Sequence, residues 1–195
     1  MTLSVKTFPK GFSYRQNFIS RDEEADLIHR IKTLPFHEFE FHGYLAKRRI
    51  VSYGYHYDFG KRGLTPAEPV PEFLSEVQRR AAEWIKVAPE DFAEALVTEY
   101  QAGVQIGWHR DAPVFDKIVG ISLGSMCKMK LKPYRPSAKR QIYTVPLEER
   151  SAYIFEGEAR EDWQHHIPAM HALRYSITFR TIKAEYNERY NLRLS

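Results

Sequence analysis

The segment Arg174-Tyr-Ser-Ile-Thr-Phe-Arg180 is the clearest β-strand of this 195-residue chain. Its odd-numbered positions, from Tyr175 to Phe179, are apolar or aromatic, and its even-numbered positions are polar. Side chains of a strand project alternately to its two faces. One face is therefore predicted to enter the core, and the other carries two arginines. Arg174 and Arg180 are six residues apart, so their Cα atoms lie about 20 Å apart along a strand.

Other short segments rich in β-branched and aromatic residues predict further strands. Together with the strand that begins at Arg174, the predicted strands are Ile50–Tyr57, Leu96–Tyr100, Ile118–Leu123, Met126–Lys132, Ile142–Val145, Ala152–Phe155 and Arg174–Ile182. Many short strands separated by turn residues predict an antiparallel sandwich or jelly roll. The stretch Gly60–Pro71 holds two glycines and three prolines and is predicted to be a loop.

Helical patterns lie in the first half of the chain. Ser20-Arg-Asp-Glu23 has the form of a capping box, and apolar residues at helical spacing follow it until Pro35 ends the pattern. A second helix with one apolar face is predicted from about Pro71. The predicted fold class is therefore mainly β with N-terminal helices, an α+β chain.

Composition indicates an ordinary globular protein. Hydrophobic residues make up 43% of the chain and charged residues 28%, so residues 1–195 are expected to form a single domain with a sizeable core. No apolar run is long enough to cross a membrane, and the N-terminus does not resemble a signal peptide. The single cysteine, Cys127, fits a reducing cytoplasm. We expect a cytoplasmic monomer, and its net charge of +4 permits a polyanionic partner.

A set of potential metal ligands is spread over two segments. His109 and Asp111 lie in Gly107-Trp-His-Arg-Asp111 and can share one face of a strand or the turn after it. His165, 54 residues after Asp111, must come from a distant strand, which we expect only a closed fold to bring near. Two imidazoles and one carboxylate suit Fe(II) and leave three metal positions open, although Zn(II) accepts the same ligands. His166 is the alternative third ligand.

Each feature also has an ordinary explanation. A His-x-Asp pair often occurs by chance, and most buried histidines are hydrogen-bonded core residues. The two arginines could grip a small dicarboxylate, one carboxylate each, with the Tyr100 hydroxyl completing the clamp. Taken alone, their strand is better explained as a solvated face with two ordinary surface arginines. The clamp is favoured only because the possible metal ligands precede it.

Four features of the second half of the chain occur together: Tyr100, His109-Arg-Asp111, Trp163-Gln-His165-His-Ile-Pro168 and Arg174-Tyr-Ser-Ile-Thr-Phe-Arg180. In this combination the chain resembles the AlkB family of Fe(II)- and 2-oxoglutarate-dependent dioxygenases. The segment Arg48–Tyr55 is similar to the strand of that family's substrate lid. The resemblance implies a double-stranded β-helix, a jelly-roll type, over residues 93–183. N-terminal helices and lid strands would occupy residues 1–92, and a tail residues 184–195.

The resemblance also implies a role for each residue. Fe(II) would be held by His109, Asp111 and His165. The cosubstrate 2-oxoglutarate would be bound by Tyr100, Thr98, Arg174, Ser176 and Arg180. Arg174 would pair with its distal carboxylate, and Arg180 would lie near the carboxylate beside the keto group. Thr98 stands where many members carry Asn. O₂ would then convert 2-oxoglutarate to succinate and CO₂ and hydroxylate a substrate C–H bond, with ascorbate as reductant.

For the substrate, the resemblance implies an N-alkylated base of DNA or RNA, as in alkylation damage repair, with the methyl group released as formaldehyde. The candidate substrate-binding residues are Arg48, Tyr53, Tyr55 and Arg110, because cations beside aromatic rings suit single-stranded nucleic acid. A second basic set is Lys128, Lys130, Lys132, Arg135, Lys139 and Arg140. Pro113 stands where nucleobase-repairing members carry an acidic residue, and the Arg48 guanidinium could stack on the base.

Three alternatives remain for the substrate. Lysines on an exposed strand also protect a sheet edge against aggregation, without any nucleic acid. The same oxidation could act on a protein side chain, a modified tRNA or a small molecule. The chain could also be a non-catalytic nucleic-acid-binding protein, although the complete set of possible iron ligands argues against that.

Overall fold

The computed structural model describes residues 8–41, 44–135 and 141–190. The helices are α1 (Arg21–Ile31), α2 (Ser75–Ile85), α3 (Gly157–Glu161) and α4 (Ala184–Tyr190). The strands are β1 (Phe12–Arg15), β2 (His37–Phe41), β3 (Tyr44–Asp58), β4 (Gly63–Pro66), β5 (Phe92–Tyr100), β6 (Ile106–His109), β7 (Phe115–Leu123), β8 (Cys127–Pro133), β9 (Tyr143–Leu147), β10 (Ala152–Phe155), β11 (Trp163–Ile167) and β12 (Arg174–Ile182). Lys139 and Arg140 of the second basic set lie outside the described residues, as does the end of the predicted tail, residues 191–195.

The strands form two antiparallel sheets. The larger has the order β1-β10-β7-β12-β5-β3-β2, with β4 paired to β3, and the smaller has the order β6-β11-β8-β9. The prediction of a mainly β chain with N-terminal helices is confirmed. Two details differ from expectation. The predicted loop Gly60–Pro71 contains β4, because its Leu64 and Thr65 pair with β3, and the predicted tail contains α4.

The N-terminal helix begins where the sequence predicts. Ser20 Oγ accepts a hydrogen bond from the Glu23 N–H (3.1 Å), and the Ser20 N–H donates to Glu23 Oε2 (2.6 Å). This exchange satisfies two backbone donors at the start of α1. The second helix begins later than predicted, since a 3₁₀ turn at Glu72–Leu74 precedes Ser75.

The two faces of β12 have different surroundings. Ile177 and Phe179 are fully buried in an apolar cluster with residues of α1 and α2. Arg174 and Ser176 point to the opposite, inner face and are also buried. The apolar face is thus in the core as predicted, but the polar face is not solvated. Among the described residues, no helix is long and apolar enough to cross a membrane.

Candidate active site

Two neighbouring strands of the small sheet bring the predicted metal ligands together. His109 ends β6 and is the register partner of His165 on β11, and their ring centroids are 4.1 Å apart. Asp111 follows β6, and its Oδ2 lies 3.7 Å from His165 Nε2. The expectation that only a closed fold could bring His165 near is wrong, because β6 and β11 are paired directly within an open sheet. His166 points away and hydrogen-bonds the Ile106 carbonyl through Nδ1 (2.6 Å).

Both imidazoles are held neutral. His109 Nδ1–H donates to the Gly107 carbonyl oxygen at 2.9 Å, which leaves the lone pair of Nε2 available. Burial lowers the pKa of His109. Burial, and next the proximity of His109, lower the pKa of His165 to about 3. A neutral imidazole is the form that binds a metal ion.

Asp111 is held anionic by a buried arginine. Burial alone would raise the pKa of this carboxyl, but the charge of Arg180 brings it far below its usual range. Arg180 Nη2 donates to Asp111 Oδ1 at 2.8 Å, and Arg180 Nη1 donates to Glu94 Oε2 at 2.6 Å. Burial raises the pKa of Glu94, and the contact with Arg180 opposes that rise. Arg180 thus bridges two buried carboxylates.

A second arginine fixes the backbone at the same point. Arg160 is buried on α3, and its Nη2 donates to the carbonyl oxygens of Ala112 (2.6 Å) and Asp111 (3.3 Å). These contacts anchor the turn that carries the Asp111 carboxylate. Sequence reasoning missed both Glu94 and Arg160. The available signal for Glu94 was its place on the same strand face as Thr98 and Tyr100.

The donor set fits an iron ion, although the side chains are not arranged as a finished coordination sphere. In the described part of the chain, no three or more His, Cys, Asp or Glu side chains already surround a metal position. At Asp111, Oδ1 accepts a hydrogen bond from Arg180. Two neutral imidazoles and one anionic carboxylate are nevertheless the ligand chemistry of a non-haem Fe(II) oxygenase site.

Arg174 is a buried cation, and its surroundings suit an anionic ligand. Its side chain is among the largest fully buried ones, and its residue exposure is 1%. Nε donates to Ser122 Oγ at 3.1 Å, and the guanidinium carbon lies 5.0 Å from the centre of the Tyr100 ring. Within residues 8–41, 44–135 and 141–190, Nη1 has no hydrogen-bond partner. No ion pair between described residues includes Arg174. Burying an unpaired charge is costly, so an anionic ligand fits here.

Strand register places the remaining cosubstrate candidates beside Arg174. Across β12 and β5, Arg174 pairs with Tyr100, Ser176 with Thr98, and Arg180 with Glu94. Tyr100, Thr98 and Ser176 therefore lie on the inner face with Arg174. The two arginines differ in a way that sequence could not reveal. Arg180 has two carboxylate partners, whereas Arg174 has none among the residues that the structure describes.

A cavity of about 760 Å³ adjoins the cluster, and its walls include His109, Asp111 and Arg180. Its size is that of a small-molecule or cofactor site. Of the substrate candidates, Arg48 and Arg110 line this cavity. Tyr53 and Tyr55 are not brought there, which corrects the expectation for both. Tyr53 packs on the helix side of the large sheet, and Tyr55 packs against the cluster around Phe115 and Ile182.

Comparisons with known proteins give a family match along most of the chain. The model of the 2OG-Fe(II) oxygenase superfamily matches residues 11–193. A curated protein of Arabidopsis thaliana, "Alkylated DNA repair protein ALKBH8 homolog", is 29% identical over 150 residues, which cover 64% of this chain and 42% of the relative. The chain thus spans about two fifths of that relative's length.

Two solved structures share the fold. OsALKBH1 has a TM-score of 0.71 at 18% identity, over 90% of this chain and 98% of that chain. A prolyl hydroxylase of Trichoplax adhaerens, in complex with a peptide of the hypoxia inducible factor oxygen degradation domain, has a TM-score of 0.67 at 13% identity, over 92% and 86%. At these identities the likeness concerns the fold alone. It confirms the predicted jelly-roll class.

Proposed function

Because the chain belongs to the 2OG-Fe(II) oxygenase superfamily, we propose that it oxidatively removes N-alkyl groups from bases of DNA or RNA. The predicted AlkB-like character and the enzyme class are confirmed: the protein is an Fe(II)- and 2-oxoglutarate-dependent dioxygenase, an oxidoreductase that uses O₂. The observation that carries the proposal is a buried Arg174 without a carboxylate partner among the described residues, in the same fold as two neutral histidines and an anionic aspartate.

In this proposal His109, Asp111 and His165 hold Fe(II), and Arg174 anchors 2-oxoglutarate. Tyr100 lies against the Arg174 guanidinium, and Thr98 and Ser176 line the same face. Arg180 keeps Asp111 ionised and oriented, and its unpartnered Nε leaves one donor for the carboxylate beside the keto group. A bound Fe(II) would supply the oxidising chemistry, in which O₂ would convert 2-oxoglutarate to succinate and CO₂ and a substrate N-methyl group would be hydroxylated and released as formaldehyde.

The substrate side of the cavity supports a nucleobase. Arg48 lies half-buried in the cavity wall with His109, and burial lowers the pKa of its guanidinium. A guanidinium plane can stack on a base. At the cavity rim, the Arg110 guanidinium lies 3.7 Å from the centre of the Tyr134 ring, and Lys132 Nζ lies 4.3 Å from that of Trp108. Such pairs of cations and rings suit a single strand.

The test is succinate release in Fe(II), 2-oxoglutarate, ascorbate and air, with a single-stranded oligonucleotide that carries one N-methylated base. We expect stimulation by the methylated strand, with one formaldehyde per extra succinate, and no stimulation by the unmethylated strand. Asp111→Ala should release neither product, since it lacks the anionic ligand. Succinate release that ignores the oligonucleotide would contradict the nucleobase proposal and favour a protein side chain, a modified tRNA or a small molecule.

A further inference from the structure

The side chain of Tyr153 is a buried phenol on the inner face, and it has no role in the site proposed above. Tyr153 on β10 pairs with Gly120 on β7, and Gly120 pairs with Thr178 on β12. A Cβ at Gly120 would lie 2.5 Å from Tyr153 Cε1 and nearer still to Cζ and Oη. The phenol therefore lies directly over Gly120, and this close approach requires glycine at position 120.

This arrangement places the hydroxyl on the stretch of sheet between the two arginines. Thr178 is four residues from Arg174 and two from Arg180 along β12. Ser122, which accepts a hydrogen bond from Arg174 Nε, is two residues from Gly120 along β7. A diacid that extends from Arg174 towards Asp111 would pass over this stretch.

The ring is held in place by aromatic neighbours. It stacks on Phe12 with centroids 6.4 Å apart and meets Phe155 edge-on at 5.5 Å. Burial, and next the proximity of Tyr100, raise the pKa of Tyr153. The phenol therefore keeps its proton at neutral pH and can donate a hydrogen bond.

The hydroxyl has a proton to donate but no acceptor in the described part of the chain. No hydrogen bond between described residues has Tyr153 Oη as its donor, although the residue is only 8% exposed. The fully buried and unpartnered polar atoms of the described side chains do not include Tyr153 Oη, so the hydroxyl is accessible on the inner face and a ligand can supply its acceptor. We propose that Tyr153 contacts the cosubstrate and that its hydroxyl donates to an oxygen of 2-oxoglutarate bound at Arg174. This inference rests on the proposed role of Arg174 and is independent of the nucleobase substrate.

The experiment measures binding and not turnover. Protein loaded with Mn(II), which does not support the oxidation, is titrated with 2-oxoglutarate in a calorimeter. Tyr153→Phe removes the hydroxyl and keeps the ring contacts, so we expect the dissociation constant to rise roughly 10-fold or more, the usual effect of losing a hydrogen bond to a charged group. Gly120→Ala keeps the hydroxyl but displaces the phenol, and should weaken binding in the same direction.

The matched control is Tyr14→Phe. Tyr14 is the register partner of Tyr153 on the neighbouring strand β1, and its hydroxyl accepts a hydrogen bond from the Glu148 N–H at 3.2 Å. We expect 2-oxoglutarate binding within twofold of wild type for this variant. Mn(II) affinity, followed by electron paramagnetic resonance, should be the same in wild type, Tyr14→Phe and Tyr153→Phe.

Two outcomes would overturn the inference, and they differ in how many of the proposed roles they remove. Unchanged or tighter 2-oxoglutarate binding by Tyr153→Phe would remove the contact while leaving the oxygenase assignment intact; tighter binding would mean that the phenol occupies the cosubstrate's space. Failure of the wild-type Mn(II) protein to bind 2-oxoglutarate would overturn the proposed role of Arg174 as well. If Gly120→Ala does not fold, the comparison of Tyr153→Phe with Tyr14→Phe decides alone.

Discussion

Arg174 and Arg180 occupy one face of one strand but have different partners. Arg180 bridges Glu94 and Asp111, so its charge is balanced by the protein itself. Arg174 is buried with a serine hydroxyl and a tyrosine ring, and no carboxylate pairs with it in the described part of the chain. A buried charge without an ion partner lowers stability. The fold thus tolerates Arg174 at a cost that a bound anion would offset.

This difference predicts that ligand binding and stability respond in opposite directions at Arg174. Arg174→Met should weaken 2-oxoglutarate binding to the Mn(II) protein by roughly 100-fold, because two charge-assisted hydrogen bonds are lost. Urea unfolding of the metal-free variant should show a free energy of unfolding no lower than that of wild type, because the unpaired charge is gone.

Arg160→Met is the control for that prediction. Arg160 is also buried, but it donates to the Asp111 and Ala112 carbonyl oxygens. Its replacement leaves those acceptors unsatisfied and should lower the free energy of unfolding by about 1–3 kcal/mol. Loss of stability in Arg174→Met as large as in Arg160→Met would show that Arg174 is a structural residue.

At the scale of elements, the most predictable parts are those that depend on near neighbours along the chain. The capping box at Ser20 and the strand Arg174–Ile182 both form where the sequence predicts them. Strand β3 shows the limit. Alternation indicates that Val51 and Tyr53 share a face, but only the pairing with β5 decides that this face packs under the helices. A shift of one residue would exchange the two faces.

The α1 cap predicts a dependence of stability on pH. The hydrogen bonds from Arg80 and from the Ser20 backbone lower the pKa of Glu23 to about 2 from an ordinary 4.5. The folded state thus binds a proton less readily than the unfolded chain. The contribution of Glu23 is complete above pH 4.5 and is lost as the pH falls from there towards 2.

Urea unfolding of wild type and Glu23→Gln at several pH values checks this. The difference in unfolding free energy between the two proteins should be largest near pH 6 and should shrink progressively below pH 4.5. The same comparison with Glu90→Gln, which alters an exposed side chain, should show no such trend. A difference for Glu23→Gln that is constant down to pH 2.5 would contradict the role assigned to the Arg80 contact.

At the scale of the whole molecule, the candidate site exists only because separate segments meet. The ligand types at His109, Asp111 and His165 were evident in the sequence, but their short strands β6 and β11 were not identified there, because their pairing joins residues far apart in the chain. Glu94, Arg160 and Tyr153 were missed for the same reason. Each acts through a partner on another element, and sequence alone does not name that partner.

Ligand binding at such a shared site should stabilise the whole fold. With Mn(II) saturating and 2-oxoglutarate at about 100 times its dissociation constant, the cosubstrate should add about 2.7 kcal/mol to the free energy of unfolding. For a chain of this length that corresponds to a rise in Tm of roughly 5–10 °C. Asp111→Ala should show no rise, since it lacks the carboxylate that completes the metal site.

Thermal unfolding followed by circular dichroism, with and without 2-oxoglutarate, measures this directly. Asp26→Ala, at an exposed helix position where the carboxylate pairs with Arg30, should keep the full rise. A rise in Asp111→Ala equal to that of wild type would place the metal elsewhere. A rise in Tm with 2-oxoglutarate in the absence of metal would show that the anion site at Arg174 binds independently of the histidine cluster. The two sites would then not form one cosubstrate and metal site.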